Sequence, residues 1–137
     1  MIAATDTERG EPVLDRTHVR GAVLAAFQRY EQALIDGDVA VLNELFWDDP
    51  RCLRYGVADR QVGAAQIQAW RREHPTVPAG RRLRETTVLT VDDRTAVVST
   101  LFEYPDGLIE GRQSQTWVRF AEGWRIVAAH VSEVPSG

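Results

Sequence analysis

Lysine is missing altogether: all 16 cationic side chains are arginine. No lysine amine is therefore available to form a Schiff base or to act as a general base. Anion recognition falls to guanidinium groups, whose planar fork suits carboxylates. Cysteine is nearly absent as well, and the single Cys52 excludes an intrachain disulfide and a thiolate metal cluster. No apolar run reaches the ~20 residues needed to span a bilayer. The opening MIAATDTERGEP has neither a basic start nor an apolar stretch, so it reads as a tail rather than a signal peptide, and a cytoplasmic location is expected. The few histidines, His18, His74 and His130, fall on a helix start, a loop and a strand, which does not make a metal site. No metal and no cofactor are expected. A net charge of -4 argues against nucleic-acid partners. No nucleophile elbow, HExxH, P-loop, GxGxxG or CxxC pattern occurs.

What is present is the material of one domain. Hydrophobic residues make up 44% of 137 residues, enough for a sizeable core. Residues 1–12 are expected to be a flexible tail and residues 13–137 a single α+β domain. From about Asp15 to Asp36 the apolar residues Val23, Phe27, Tyr30 and Leu34 recur at helical spacing, with Arg20, Gln28, Arg29, Glu31 and Gln32 on other faces. Gly37 ends this helix and Asp38 caps a short second one. Cys52 to Val62 reads as two short strands, and Gly63 opens a third helix, with Ile67 and Trp70 inward and Arg71 and Arg72 complementing its C-terminal dipole. His74 to Gly80 is loop. Four long antiparallel strands follow, over Leu83–Val91, Thr95–Tyr104, Ile109–Phe120 and Trp124–Val131.

Several positions carry candidate chemistry. Tyr30 lies on a buried stripe, where its phenol needs a hydrogen-bond partner; a functional role competes with one in which the hydroxyl merely reaches a backbone carbonyl or the surface. Arg54 sits in a short strand beside Leu53 and Tyr55, on a rim or pointing into a cavity. Alternation puts Arg112, Ser114 and Thr116 on one strand face and Gln113, Gln115 and Trp117 on the other, so both faces are polar at that end. One of them is expected to line a wet cavity. His130, on the face shared with Trp124, Ile126 and Ala128, is a proton-exchange candidate, and Glu85 and Glu103 are candidate bases.

The order of elements and the runs Tyr30-Glu31-Gln32-Ala33-Leu34, Leu45-Phe46-Trp47-Asp48, Arg54-Tyr55-Gly56, Gly111 to Phe120 and Gly123 to Ser132 resemble the oxalurate-catabolism HpxZ and AtzH-like proteins. That resemblance covers nearly all of the chain after the first dozen residues. It implies the cone-shaped nuclear-transport-factor-2-like (SnoaL-like) fold, a curved antiparallel sheet wrapped around the N-terminal helices, and a homodimer formed through the sheet. It also implies a role in ureide or s-triazine breakdown, with an amidase as a possible partner. By motif, the essential tyrosine and arginine of an amidohydrolase branch fall on Tyr30 and Arg54. The expectation is a metal-free amidohydrolase of a small carboxylated urea or amide, with Tyr30 and Arg54 catalytic. Tyr30 would donate to the carbonyl, or relay a proton if Arg54 lowers its pKa. Arg112, Ser114, Gln115 and His130 are expected to bind substrate or water. The alternative is a carboxylate-binding accessory protein without turnover.

Overall fold

The computed structural model describes residues 10–137; most of the expected tail lies outside the described residues. Three helices precede most of a six-stranded sheet. They are α1 (Thr17–Asp36), α2 (Val39–Leu45) and α3 (Ala64–Glu73), with strands β1 (Leu53–Tyr55) and β2 (Arg60–Val62) between the last two. The long strands are β3 (Arg82–Val91), β4 (Thr95–Glu103), β5 (Ile109–Phe120) and β6 (Gly123–Pro135). The spatial order is β2-β1-β6-β5-β4-β3. The sheet is open and mixed rather than wholly antiparallel, because β1 runs parallel to β6.

Local chemistry accounts for the helix boundaries. Gly37 adopts φ 66°, which a glycine tolerates without strain. The α1 end closes as a Schellman turn, with Asp38 N–H donating to the Ala33 carbonyl at 2.9 Å and Gly37 N–H to the Leu34 carbonyl at 3.4 Å. Asp38 then accepts from Val41 N–H at 3.2 Å and caps α2. Along α1 the stripe Val19, Val23, Phe27, Tyr30 and Leu34 is buried in one core that also holds Ala96, Val98, Trp117 and Ile126 from the sheet. Each large apolar side chain removed from water there contributes on the order of 1.5–3 kcal/mol.

Two irregularities bend the sheet over α1 and re-aim side chains. In β3 the pairing with β4 shifts between Arg84 and Thr87, where Glu85 takes φ 54°. In β6, Thr116 pairs with Ala128 but Trp117 pairs with Ile126, which leaves Val127 as an extra residue. Such a bulge inverts the alternation beyond it. Trp124 and Ile126 are buried, and so is Ala129, whereas His130 is exposed. The expected sharing of a face by Ile126 and His130 is therefore corrected by one inserted residue. Among the described residues no helix is long and apolar enough to cross a membrane.

Candidate functional site

The inner face of the sheet and the ends of α1 and α3 enclose a small cavity of about 200 Å3. Tyr30, Arg54, Trp70, Arg71, Arg81 and Gln113 supply most of its polar and aromatic lining. The volume lies below the roughly 300–1,000 Å3 of drug-sized pockets, which restricts an occupant to a small molecule. A larger groove of about 650 Å3 runs past Phe46, Trp47 and Phe120 at the other end of β5 and β6, but its carboxylates Glu44, Asp48 and Glu122 are exposed and its one cation, Arg125, is half-buried. Buried polar groups converge on the smaller cavity, and that convergence marks it as the candidate site.

Tyr30 reaches the cavity from α1 and is 4% exposed, its ring edge-on to Phe46 at 6.1 Å. Among the described residues nothing hydrogen-bonds its hydroxyl. Burial pushes the phenol pKa above its ordinary 10.0, and the neighbouring Arg71, Arg54 and Arg81 only partly offset that. Tyr30 is therefore a proton-bearing donor at neutral pH. Desolvation outweighs the lowering by Arg54 on which a proton relay is conditional.

Arg54, 8% exposed, projects from β1 with its Cζ over the Trp70 ring, 3.9 Å from the ring centroid. Its Nη1 donates to Asp59 at 2.7 Å and to Gln61 at 2.9 Å, and Gln61 in turn donates to Asp59 at 2.9 Å. That triangle fixes the guanidinium through one nitrogen. The tight β1–β2 turn depends on Gly56, where any Cβ would run into the Asp59 carboxylate.

Arg71 falls on the same α3 stripe as Ala64 and Ile67 and is only 3% exposed. Among the described residues it forms no ion pair. Its Nη1 donates to the His74 carbonyl at 3.3 Å, and its buried Nε has no partner. Burial lowers its pKa, as expected for a cation taken out of water. Arg81, just ahead of β3, is clamped by Glu31, with Nε at 3.2 Å and Nη2 at 3.0 Å from the same carboxylate oxygen. It lies over Phe102 at 4.1 Å and donates to Gln113 Oε1 at 3.0 Å. Burial raises the Glu31 carboxyl pKa while Arg81 pulls it back. For Arg81 burial opposes the charge, but Glu31 more than restores it. Phe102 can lie across β5 because Gly111 has no side chain; a Cβ there would overlap the ring.

Of the sequence-expected residues, Tyr30 and Arg54 meet in this cavity. Arg112, Ser114 and His130 do not, because all three lie on the outer face of the sheet. Arg112 pairs with Glu110 at 2.9 Å, Ser114 with Ser99 at 3.0 Å, and His130 packs edge-on against Tyr55. Gln115 is inward and buried, but it accepts from Trp117 Nε1 at 3.1 Å and is outside the cavity lining. Glu85 and Glu103 also face outward, against Arg84. Sequence reading missed Arg71, Arg81, Glu31 and Gln113. The one available signal was the inner-face parity of Gln113 with Trp117.

Comparison with known proteins agrees with this architecture. A search of curated proteins finds no match. A protein of the DUF3225 family from Pectobacterium atrosepticum is 46% identical over 88% of this chain and 94% of its own, with a TM-score of 0.85. A cystatin-like fold protein from Burkholderia xenovorans is 41% identical over 92% of this chain and 99% of its own, with a TM-score of 0.89. A nuclear-transport-factor-2-like protein from Pseudomonas putida, 17% identical over 85% of this chain and 87% of its own (TM-score 0.73), shares the cone-shaped fold. The AtzH-like family model matches residues 12–137, so the chain belongs to the AtzH-like family.

Proposed function

We propose that this protein hydrolyses a small carboxylated urea or related amide, using the cavity around Tyr30 and Arg54. The observation that carries the proposal is the Arg71 guanidinium, buried without a carboxylate next to a phenol whose hydroxyl has no partner among the described residues. A desolvated cation without a counter-charge is costly, and an anionic ligand relieves that cost. Arg54, held through Nη1, presents its remaining N–H groups to a carboxylate in bidentate fashion. Tyr30 then donates to the carbonyl oxygen of the adjacent amide. As water adds to the carbonyl carbon, charge builds on that oxygen, where a protonated phenol and guanidinium groups stabilise it. The C–N bond breaks and the nitrogen leaves with a proton from the attacking water.

One observation favours a second reading, ligand binding without turnover. Among the described residues no histidine lines the cavity, and the only carboxylate that does is the exposed Glu133. The outer sheet face, with Leu89, Val97, Thr116 and Ala128 in one cross-strand row, is the surface through which we propose that two copies pair.

The deciding experiment measures ammonia and carbon dioxide release from oxalurate and other carboxylated ureas, with Tyr30→Phe and Arg54→Ala alongside. Turnover that disappears in both variants supports hydrolysis. Arg54-dependent binding with no product supports the binding reading. Turnover that survives in both variants sinks the proposal.

A further inference from the structure

Gln113 presents an amide whose two ends have different fates. On the inner face of β5 it is 4% exposed and lines the cavity beside Arg81. Its Oε1 accepts from Arg81 Nη2 at 3.0 Å, while its buried Nε2 has no partner. The orientation is not interchangeable, because a flipped amide would set an NH2 group against a guanidinium N–H, donor against donor. Arg81 cannot swing away easily, being held by three hydrogen bonds to Glu31 and placed over Phe102. A buried donor left without an acceptor bears its full desolvation penalty. That penalty is removed when something in the cavity supplies an oxygen.

Taken with Tyr30 and the unpartnered Arg71 Nε, the interior offers donors and little that accepts. From this we infer that Gln113 is a specificity-determining residue of the site, whose amide N–H donates to a carbonyl or carboxylate oxygen of the ligand. Glu31 and Arg81 are positioning residues that fix which end of the amide is left as the free donor. The inference rests on the carboxylated-urea reading above and adds to it a polarity rule. At this point the cavity takes an oxygen acceptor and rejects a group that presents N–H, since two donors cannot satisfy each other.

The test uses the full chain labelled with 15N, titrated with oxalurate and separately with malonate, in the wild type, Arg54→Ala, Gln113→Leu and Gln113→Glu. The side-chain amide pair of Gln113 is identified by its loss in Gln113→Leu. The expected result is a saturable shift of that pair in the wild type and an affinity about 10- to 100-fold weaker in Gln113→Leu. Gln113→Glu, the same size but an acceptor, should lose at least as much, and thermal melts check that each variant folds. If Gln113→Leu does not fold, the wild-type shift and the Gln113→Glu affinity decide. Glu31→Gln should move the Gln113 signals in the free protein and weaken binding only while Gln113 is present. An undiminished Glu31 effect in the Gln113→Leu background overturns the positioning role. Arg54-dependent binding that leaves the Gln113 pair unmoved and Gln113→Leu within twofold of wild type overturns this inference alone. Absence of any saturable binding to the wild type overturns both it and the reading beneath it.

Discussion

The two faces of β5 are polar over the same few residues and yet carry arginine-rich surroundings of opposite character. On the outer face, Arg84 and Arg112 share Glu110 at 2.8 and 2.9 Å, and Arg84 also meets Glu85 at 3.1 Å. These pairs stand in water, where each is worth little and needs nothing further. On the inner face Gln113 lies among Arg81, Arg71 and Arg54, all largely out of water. There Glu31 holds Arg81, Asp59 holds one nitrogen of Arg54, and Arg71 has a backbone carbonyl and the Trp70 ring but no carboxylate within ion-pair distance among the described residues. Charge count does not separate the faces. What separates them is how many of the buried donors are already satisfied.

That contrast can be broken at defined points. The largest effect is expected from Arg54→Ala, which removes the carboxylate clamp and leaves Asp59 facing the cavity. Calorimetric titration with oxalurate should show a loss of about 100-fold or more, and affinity within twofold of wild type would count against an inner anion site. Tyr30→Phe, which keeps the ring against Phe46, should lower turnover by about 100-fold while leaving the melting temperature nearly unchanged. The same variant carries a pH signature. With the folded-state pKa raised above 10.0, the native protein retains a proton that the unfolded chain releases, so this part of the stability is present below pH 10 and lost as pH rises through the higher value. Unfolding followed together with phenolate absorbance should show that alkaline loss in the wild type and not in Tyr30→Phe.

A smaller and opposite pair of effects is expected at Arg71. Replacing this buried cation with methionine should stabilise the free protein by about 1 kcal/mol, roughly 3–5 °C in melting temperature. Ligand affinity should fall about tenfold at the same time. A variant that is both less stable and equally tight would show Arg71 to be structural. The smallest effects belong to the outer face. Arg112→Ala and His130→Ala should each change stability by less than about 0.5 kcal/mol and leave binding in the cavity untouched. A binding loss in either would assign the outer face to the site after all.

Most of the architecture was legible because it rests on local rules. The apolar period of α1, the Gly37–Asp38 boundary and the turn residues around residues 105–107 and 121–123 each specify their element with few neighbours consulted. Tyr30 was legible as a phenol on an apolar stripe, and Arg54 as a cation amid Leu53 and Tyr55. Glu31, Arg71 and Arg81 were not, because a charged residue on a helix face or next to a loop is by default solvated. Their burial depends on partners far along the chain: Glu31 meets Arg81 fifty residues away. No window of sequence contains both halves of that pair. His130 failed for a different reason, since alternation carries no mark of an extra residue in the strand.

That extra residue, Val127, makes β6 behave as two segments in antiphase. Upstream of it, even-numbered side chains look into the core; downstream, odd-numbered ones do, ending with Val131 and Glu133 on the cavity wall. Removing Val127 would set Ala128 directly after Ile126 in plain alternation, with Thr116 still opposite Ala128 and Trp117 opposite Ile126, so the bulge would vanish while His130 stayed outward and Ala129 and Val131 inward. Val127 is thus a spare residue in the length of the strand: its loss turns no side chain over, and its presence is what inverts any count of faces taken along the sequence.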